Sequence, residues 1–180
     1  VINRAYHKLH EILLSCALPR TSRSVHLCEA PGGFVQCTHH HLAASGWTWC
    51  AISVDAADAP TPSSDLPYDR GRFVTQSVLD VPASIEAVGR ADFVTADGAT
   101  SPDHDRIEGA HFDLFWAQCL VAVSVLDAGG TFVVKCFEGL DVATRRVIAW
   151  LTVHFAHVSV IKPMSSRPTN SERYLVCRGR

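Results

Sequence analysis

Three lysines are candidates for chemistry in a chain whose other basic residues are all arginines. The sequence has 16 basic residues, and its only lysines are Lys8, Lys135 and Lys162. Lysine can give up its proton when its surroundings lower its pKa, whereas arginine stays charged. Lys135 lies within an apolar run, where lysines are rare without a partner. These residues are therefore candidates for steering a substrate or moving a proton.

Two carboxylates lie beside apolar runs in the same way. Asp97 ends the run V-T-A-D and precedes Gly98, and Glu172 precedes the run R-Y-L-V-C. Each also has an ordinary explanation, Asp97 as a turn former, Glu172 as a surface strand residue and Lys8 as a solvated helix residue. Their positions relative to one another decide between chemistry and these explanations.

A Pro-Gly-Gly turn lies within V-H-L-C-E-A-P-G-G-F, residues 25–34, between a predicted strand and a predicted helix. Such a turn presents backbone N–H groups and a helix N-terminus to a ligand. The string is neither the dinucleotide fingerprint G-x-G-x-x-G nor the phosphate loop G-x-x-x-x-G-K-S/T. By itself the turn is equally consistent with a cofactor cradle and with an ordinary tight turn.

The composition predicts one compact domain over residues 1–180. Of the 180 residues 47% are hydrophobic, which is enough for a substantial core, and no run approaches the length of a membrane span. The chain begins with Val rather than Met, so we expect it to be cut from a longer chain. Its seven cysteines form no C-x-x-C pair, which favours reduced thiols and a cytoplasmic or nuclear location.

Apolar runs and turn signals alternate along the chain. The predicted strands are residues 25–29, 47–54, 72–78, 92–96, 131–136, 156–161 and 172–177. The predicted helices are residues 3–16, 35–44, 82–88, 107–126 and 141–154. Gly46 and the pair Gly129 and Gly130 are predicted to end the helices that precede them. This alternation predicts an α/β fold with a mostly parallel sheet and helices on both faces.

The last two predicted strands break the alternation. The ten-residue link between them, residues 162–171, contains two prolines and shows no helical period. A parallel crossover takes about a dozen residues or more, so we expect the seventh strand to be antiparallel. Ligands of open α/β sheets bind at the carboxyl ends of the parallel strands. Asp97, Lys135, the Pro-Gly-Gly turn and Asp55 fall at that edge, and a reversed seventh strand brings Glu172 to it.

Together these motifs resemble the FtsJ-like RNA ribose 2′-O-methyltransferases over nearly the whole chain. The matching strings are R-A-Y-H-K-L-H-E-I (4–12), L-C-E-A-P-G-G-F (27–34), V-T-A-D-G-A (94–99), G-G-T-F-V-V-K-C-F-E-G (129–139) and S-S-R-P-T-N-S-E-R-Y-L-V-C (165–177). Any one string is weakly specific, whereas the ordered set is strongly specific. The resemblance implies a Rossmann-like methyltransferase fold with a seven-stranded, mostly parallel sheet, an antiparallel last strand and helices on both faces.

The resemblance also implies a catalytic tetrad, which consists of Lys8, Asp97, Lys135 and Glu172. The implied reaction is an in-line displacement in which a ribose 2′-hydroxyl attacks a methyl group. A hydroxyl is a poor nucleophile, and a lysine can steer it or accept its proton. We expect Lys135 to act on the hydroxyl, with Lys8 and Glu172 orienting it. Asp97 is expected between the lysines and the cofactor, and the scheme requires no metal ion.

The implied cofactor is S-adenosylmethionine, which leaves as S-adenosylhomocysteine. The residues that the resemblance implies for its binding are Glu29, Ala30, Pro31, Gly32, Gly33, Phe34, Asp55, Ser77, Val78 and Asp97. Asp55 is expected at the ribose hydroxyls of the cofactor. Family members usually contact the adenine through an acidic residue after the third strand, where this chain has Ser77 and Val78, followed by Asp80.

The implied substrate is RNA, and the strings most closely match the members that modify mRNA near its 5′ cap. Ribosomal RNA and tRNA are alternative targets, and a non-catalytic S-adenosylmethionine- or RNA-binding module is a second class of function. The net charge of −2 argues against a strong sequence-independent grip on nucleic acid. We therefore expect flanking domains or a protein partner to supply affinity, and no membrane partner. Arg20, Arg23, Arg167 and Arg173 either line an RNA groove or are solvated.

Three consecutive histidines, His39, His40 and His41, follow Cys37 at a distance that invites a zinc interpretation. Consecutive helix residues point in different directions, and no second ligand pair follows along the chain. The histidines are therefore predicted to form a partly exposed helix face.

Overall fold

A single sheet organises the computed structural model, which describes residues 1–54, 60–99, 107–137 and 141–180. The strands in this part of the chain are β1 Thr21–Leu27, β2 Ala43–Ser53, β3 Gly71–Thr75, β4 Ala91–Ala96, β5 Leu126–Cys136, β6 His157–Ile161 and β7 Arg173–Arg178. The helices are α1 Arg4–Ser15, α2 Gly33–His41, α3 Val81–Val88, α4 Ile107–Val125 and α5 Val142–His154. The strand order is β3-β2-β1-β4-β5-β7-β6.

The direction of the last strand is as predicted. Strands β1 to β5 pair in parallel, whereas β7 is antiparallel to both of its neighbours, β5 and β6. The short link after β6 leaves no room for a helical crossover, so the chain turns back and β7 enters the sheet beside β5. The predicted fold, a seven-stranded, mostly parallel sheet with an antiparallel last strand, is confirmed.

Helices cover both faces of the sheet, and side-chain alternation decides which strand residues meet which helices. Val133 of β5 packs with α1 and α2, whereas Phe132 and Val134 pack with the core formed by α3, α4 and α5. Side chains in a strand alternate between faces with a period of two. Lys135 therefore shares the face of Val133 and points towards α1.

Short polar side chains begin three of the helices. Asn3 accepts a hydrogen bond from the backbone N–H of Ala5, at 3.1 Å, and Asp141 accepts one from Thr144, at 2.8 Å. Asp80 caps α3 in the same way. Such caps satisfy N–H groups that have no partner within the helix. The predicted starts at Asn3 and Asp141 are confirmed.

Three predicted strand ends are wrong by one to three residues. β1 ends at Leu27, before the predicted end at Glu29, because Cys28 adopts a φ of 56° that a strand does not accommodate. β3 ends at Thr75 rather than at residue 78, because the carbonyl of Ser77 accepts the N–H of Asp80 in a turn that leads into α3. β7 begins one residue after Glu172, at the first residue that pairs with β5.

Three strands, β1, β2 and β5, begin four or five residues earlier than predicted, and α2 ends at His41 rather than at residue 44. Gly46 and Gly129, predicted to follow helix ends, lie instead inside β2 and β5 with φ values of 75° and 81°. The pairing register shifts near both glycines, as in a β-bulge. A glycine with positive φ serves a bulge as well as a helix end, so the sequence signal was ambiguous.

The cysteine thiols are free at all seven positions, and all but Cys16 and Cys28 are buried. This agrees with the prediction of reduced thiols in the core. None of the helices in the described residues combines the length and the apolar character needed to cross a membrane.

Candidate active site

Lys135 and Asp97 form a buried ion pair at the carboxyl ends of β4 and β5. The two strands pair in parallel up to Ala96 and Val134, so the next residue of each strand continues side by side. Nζ of Lys135 lies 3.0 Å from Oδ1 of Asp97 and donates to its backbone carbonyl at 2.7 Å. The side chain of Lys135 is only 8% exposed. Its charge is therefore compensated within the protein, as a buried ammonium requires.

Glu172 joins the two predicted catalytic lysines. Nζ of Lys8 lies 2.9 Å from Oε1 and 3.0 Å from Oε2 of Glu172, and the same carboxylate lies 3.9 Å from Nζ of Lys135. Helix α1 brings Lys8 over the face to which Lys135 points, and β7 brings Glu172 in from the opposite chain direction. The four predicted residues thus form one chain of charges, Lys8–Glu172–Lys135–Asp97.

Two hydroxyls that sequence reasoning missed support the carboxylates. Tyr174 donates to Oδ1 of Asp97 at 2.5 Å, and Ser166 donates to Oε1 of Glu172 at 2.6 Å. Burial and the nearby Asp97 raise the pKa of Tyr174 well above its usual value. Tyr174 pairs with Lys135 across β5 and β7, and its position two residues after Glu172 was an available signal. Ser166 lies in a loop, and nothing in the sequence marked it.

The link after β6 is fastened to α1 close to this site. The carboxylate of Glu11 accepts the backbone N–H groups of Met164 and Ser165, at 2.5 and 3.1 Å. Arg4 donates to the carbonyl of Ser165 at 2.7 Å. Lys162 donates to the backbone carbonyl of Glu172 at 3.1 Å. These contacts hold Ser166 and Glu172 in place relative to the helix that carries Lys8.

The arrangement balances two ammonium groups with two carboxylates in a largely buried position. Removing one member of such a set leaves an uncompensated buried charge. Chemically, it can present a fixed N–H donor to an oxygen on which negative charge develops. The structure thus brings the four predicted tetrad residues together, and their catalytic roles stay a prediction.

Glu29 caps helix α2 from the Pro-Gly-Gly turn. Its Oε1 accepts the backbone N–H groups of Phe34 and Val35, at 2.7 and 2.9 Å. Burial raises the pKa of Glu29 to about 8, against the opposing effect of these two hydrogen bonds. This carboxyl therefore serves the helix N-terminus that the resemblance assigned to the cofactor, and any role in cofactor binding stays a prediction.

The two glycines of the turn are required by packing within the protein. A Cβ on Gly32, whose φ is 119°, would lie 2.5 Å from Cδ1 of Leu66. A Cβ on Gly33 would lie 2.0 Å from Oδ1 of Asn3. The turn thus passes between α1 and Leu66, and this packing by itself explains why both positions are glycine. Ala30 and Pro31 are half-buried beside it.

A cavity of about 250 Å³ lies at the carboxyl ends of β2 and β3. Its lining residues are Ser53, Val54, Pro60, Thr61, Pro62, Phe73, Val74 and Thr75. Open α/β sheets bind ligands at this edge, and the volume approaches the lower end of the range for ligand pockets, about 300 Å³. The cavity by itself would therefore hold only part of a cofactor of the size of S-adenosylmethionine. Asp55, predicted at the cofactor ribose, lies outside the described residues.

The predicted adenine-contacting residues differ in what they can offer. The side chain of Val78 is 3% exposed and belongs to the core, so only its backbone is available to a ligand. Ser77 is half-buried, and its carbonyl accepts the hydroxyl of Ser84 at 3.1 Å. Asp80 is occupied as the cap of α3.

The histidine run forms a helix face, as predicted. His39 stacks on Trp47, while His40 and His41 lie 3.1 and 2.9 Å from the hydroxyl of Tyr6. In the described part of the chain, no group of three or more His, Cys, Asp or Glu residues is placed to hold a metal ion.

Comparisons with known proteins agree with this fold. The family model described as FtsJ-like methyltransferase matches residues 1–180. A relative from Drosophila melanogaster is named cap-specific mRNA (nucleoside-2′-O-)-methyltransferase 2. It is 30% identical in an alignment that is 185 residues long and covers 86% of this chain. The chain spans only 26% of the length of that relative.

Solved structures with similar folds extend over almost the whole chain. One is a protein from Plasmodium falciparum described as a ribosomal RNA methyltransferase, with a TM-score of 0.70, 18% identity and coverage of 99% of this chain and 98% of the other. Another is human methyltransferase-like protein 13 in complex with SAH, with a TM-score of 0.61, 15% identity and coverage of 98% and 79%. At 18% and 15% identity, these similarities show a shared fold and no more.

Proposed function

Because this chain belongs to the FtsJ-like methyltransferase family, we propose that it transfers the methyl group of S-adenosylmethionine to a ribose 2′-hydroxyl of RNA. The observation that carries the proposal is the buried chain of charges at the carboxyl ends of β4 and β5. Lys135 lies between Asp97 and Glu172 there, and Glu172 in turn binds Lys8. A dinucleotide oxidoreductase would not need this set of charges. Its glycine turn would be expected to carry the dinucleotide fingerprint, which the Pro-Gly-Gly turn does not match.

Lys135 is the proposed residue that acts on the attacking hydroxyl. Its ammonium has three N–H donors. Among the described residues, two of them meet the carbonyl and the carboxylate of Asp97, while Glu172 at 3.9 Å is too far for a hydrogen bond. The third donor is therefore available to a ribose 2′-oxygen, where it would orient the hydroxyl and stabilise the negative charge that develops on it. As the oxygen–methyl bond forms and the methyl–sulfur bond breaks, the hydroxyl proton would pass to solvent.

The other members of the tetrad position Lys135. Asp97 fixes the ammonium through two contacts and is itself fixed by Tyr174. Lys8 holds Glu172, whose carboxylate limits the repulsion between the two lysines. Bound S-adenosylmethionine supplies an electrophilic methyl group. Alignment of that group with the hydroxyl contributes much of the acceleration, since such effects supply about 7–11 kcal/mol.

The proposed substrate is mRNA near its 5′ cap, in the cytoplasm or the nucleus. The Drosophila relative is named as a cap-specific mRNA methyltransferase, and its similarity to this chain extends over 86% of the chain. Ribosomal RNA is the second candidate, supported by the description of the Plasmodium structure, whose likeness is one of fold. With a net charge of −2, phosphate binding must be local or come from flanking domains or a protein partner.

The test measures transfer of a labelled methyl group to a capped transcript, an uncapped transcript, ribosomal RNA and tRNA, followed by mapping of the modified ribose. The wild type should label the capped transcript near its 5′ end. Lys135→Ala should abolish transfer while calorimetry still detects cofactor binding near the wild-type level. Arg146→Ala, which removes an exposed charge from α5, is the control and should keep full activity.

Two results would overturn parts of this proposal. Turnover retained by Lys135→Ala would exclude its role on the hydroxyl. A wild type that binds S-adenosylmethionine but labels none of the four RNAs would identify a non-catalytic binding module. Thermal unfolding of each variant separates loss of chemistry from loss of fold.

A further inference from the structure

Towards the amino-terminal edge of the sheet, opposite to the tetrad, lies a cavity of about 380 Å³ lined by residues 23–25 of β1, residues 48–50 of β2, the start of β3, the end of α3 and Arg90 before β4. We call it the arginine cavity because its charged lining residues are Arg23, Arg70, Arg72 and Arg90. Among the described residues, no acidic side chain lines it. A quarter of the chain's 16 basic residues thus lie around one opening, although the net charge of the chain is −2.

The positive charge of the arginine cavity is only partly compensated. Arg23 and Arg90 share one carboxylate, that of Asp127, at 3.3 and 2.9 Å. Arg70 lies 3.6 Å from Asp69, a long contact between exposed groups. The guanidinium of Arg72 donates to the carbonyl of Ala87, a neutral acceptor, at 3.3 Å. Two carboxylates within ion-pair distance therefore serve four guanidinium groups.

The backbone beneath two of these arginines is held tightly while their side chains are exposed. Arg70 directly precedes β3, Arg72 is its second residue, and both are exposed. A Cβ on Gly71, between them, would lie 2.2 Å from the carbonyl of Trp49. The N–H of Trp49 in turn donates to the carbonyl of Arg70 at 3.2 Å. The strand start is thus fixed against β2, and both guanidinium groups face solvent.

The chemistry of the cavity selects its ligand. The planar donors of arginine match phosphate oxygens in pairs, which favours phosphate over other anions. The one aromatic residue of the lining, Trp49, is 4% exposed and offers no ring face on which a base could stack. A free nucleotide would therefore gain little beyond its phosphates, whereas a nucleic-acid strand presents a row of them.

We propose that the arginine cavity is a second phosphate-binding site, which holds backbone phosphates of the substrate RNA at a distance from the reacting ribose. This inference rests on the proposed function for the identity of the polyanion. A strand rises about 3.3 Å per residue, so β4, with six residues, separates the two edges by roughly 20 Å. If a stacked RNA strand has the phosphate spacing of one DNA strand, about 3.4 Å, roughly six nucleotides would cover this distance.

The test measures RNA binding by fluorescence anisotropy without cofactor, over a series of salt concentrations. Two capped RNAs are compared, one of roughly 20 nucleotides and one shorter than the roughly six that span the two edges. The double variant Arg70→Gln, Arg72→Gln should bind the long RNA about tenfold more weakly, and its salt slope should fall by about 1.4, since each phosphate contact of a single strand contributes about 0.7. The loss should be smaller for the short RNA.

Controls distinguish this site from other effects of charge. Arg146→Gln removes one exposed positive charge outside the cavity and should leave the salt slope as in the wild type. The single variant Arg72→Gln should lower the slope by about 0.7, which keeps the test open if the double variant unfolds. Competition with inorganic triphosphate, ATP and an acidic peptide identifies the ligand chemistry, and the long RNA should bind best.

The results separate this inference from the proposed function. If the wild type methylates RNA and the double variant binds long RNA as the wild type does, the second site is excluded and the function stands. If no RNA is methylated but long RNA binds in an arginine-dependent way, the function fails and the site stands. Arginine-dependent binding of ATP, or of the acidic peptide, that exceeds binding of the long RNA would overturn the assignment to RNA phosphates.

Discussion

The two edges of this sheet treat charge in opposite ways. At the carboxyl edge, Lys8, Lys135, Asp97 and Glu172 are each at most 15% exposed, and every member of the chain of charges has a partner of opposite sign. At the amino edge, Arg23 and Arg90 are each 55% exposed and share one carboxylate. Buried pairs fix geometry at a cost in desolvation. Exposed surplus charge attracts a polyanion over a distance. The buried ion pairs at the carboxyl edge thus suit the positioning of side chains, whereas the exposed arginines at the amino edge suit the attraction of a polyanion.

The choice of cation follows the same division. Two of the three lysines lie in the tetrad. Among the described residues, the basic side chains that line the cavity at the opposite edge are all arginines. An ammonium is a compact point charge that can be aimed at one oxygen. A guanidinium is planar and can donate two parallel hydrogen bonds to the oxygens of one phosphate. Each edge therefore uses the cation that suits its contacts.

Glu172→Gln should have the largest effect, because it breaks the compensation at the carboxyl edge. The variant removes the negative charge that lies 2.9 Å from Lys8 and 3.9 Å from Lys135. Methyl transfer should fall about 100-fold or more, as when a residue that positions a proton-transfer group is lost. Stability should fall by about 3 kcal/mol, because the two lysines lose their shared counter-charge. Initial rates and urea unfolding measure the two effects.

The matched variant at the amino edge is Asp69→Asn, which breaks an exposed pair. Arg70 and Asp69 are 44% and 74% exposed and 3.6 Å apart. The free energy of unfolding should change by less than about 0.5 kcal/mol. Equal losses from the two variants would contradict the distinction between the edges.

Glu29→Gln should reveal a pH dependence of stability that belongs to the carboxyl edge. Burial raises the pKa of Glu29 from 4.5 to about 8. In the unfolded chain this carboxyl ionises near 4.5, so the folded state loses stability progressively as pH rises from there to about 8. At about 1.4 kcal/mol per unit, the loss is roughly 5 kcal/mol. The variant keeps an oxygen that can accept from Phe34 and Val35 and should lack this loss.

Urea unfolding at pH 5 and pH 9 checks this prediction. The gap in stability between wild type and variant should shift in favour of the variant at the higher pH. Parallel curves would show that Glu29 ionises at a similar pH in the folded and the unfolded chain.

Asp127→Asn should have a small effect on RNA affinity, in the direction opposite to that of the arginine variants. The variant frees Arg23 and Arg90 from their shared carboxylate. RNA affinity at low salt should rise roughly threefold and the salt slope should steepen by about 0.7, because one more phosphate contact becomes available. Stability should change by less than about 1 kcal/mol. Asp113→Asn, on the exposed side of α4, is the control for total charge and should give a smaller increase.

The sequence allowed most of the carboxyl edge to be predicted and almost none of the amino edge. The ten-residue link after β6 was too short for a crossover, so the direction of β7, and with it the place of Glu172, followed from geometry. Arg70 and Arg72 are neighbours at the start of β3, but Arg23 in β1 and Arg90 before β4 are distant in sequence, and no local pattern joins them to that pair. The topology of a parallel sheet predicts that the carboxyl ends of its strands meet at one edge. Whether side chains from different strands line one cavity depends on side-chain packing, which the sequence does not show.

Details within the predicted site also needed the structure. Gly32 and Gly33 were expected to leave room for a ligand, but Leu66 and Asn3 occupy the space that a Cβ would fill. Ser166 acts on Glu172 from a loop without periodicity. Contacts of this kind are set by packing between distant segments, which hydrophobic periodicity does not record.

The pairing of Lys8 with Glu172 joins residues that are 164 positions apart in the chain. A ribosome adds about 5–20 residues per second, so on the order of 8–30 s separate the synthesis of the two partners. Between the synthesis of β5 and that of β7, β5 lacks the strand that will pair with it, and Lys135 lies on an open sheet edge. Contacts of such long range form slowly, because the loop between them must be closed first. The tetrad is therefore complete only when β7 lies between β5 and β6.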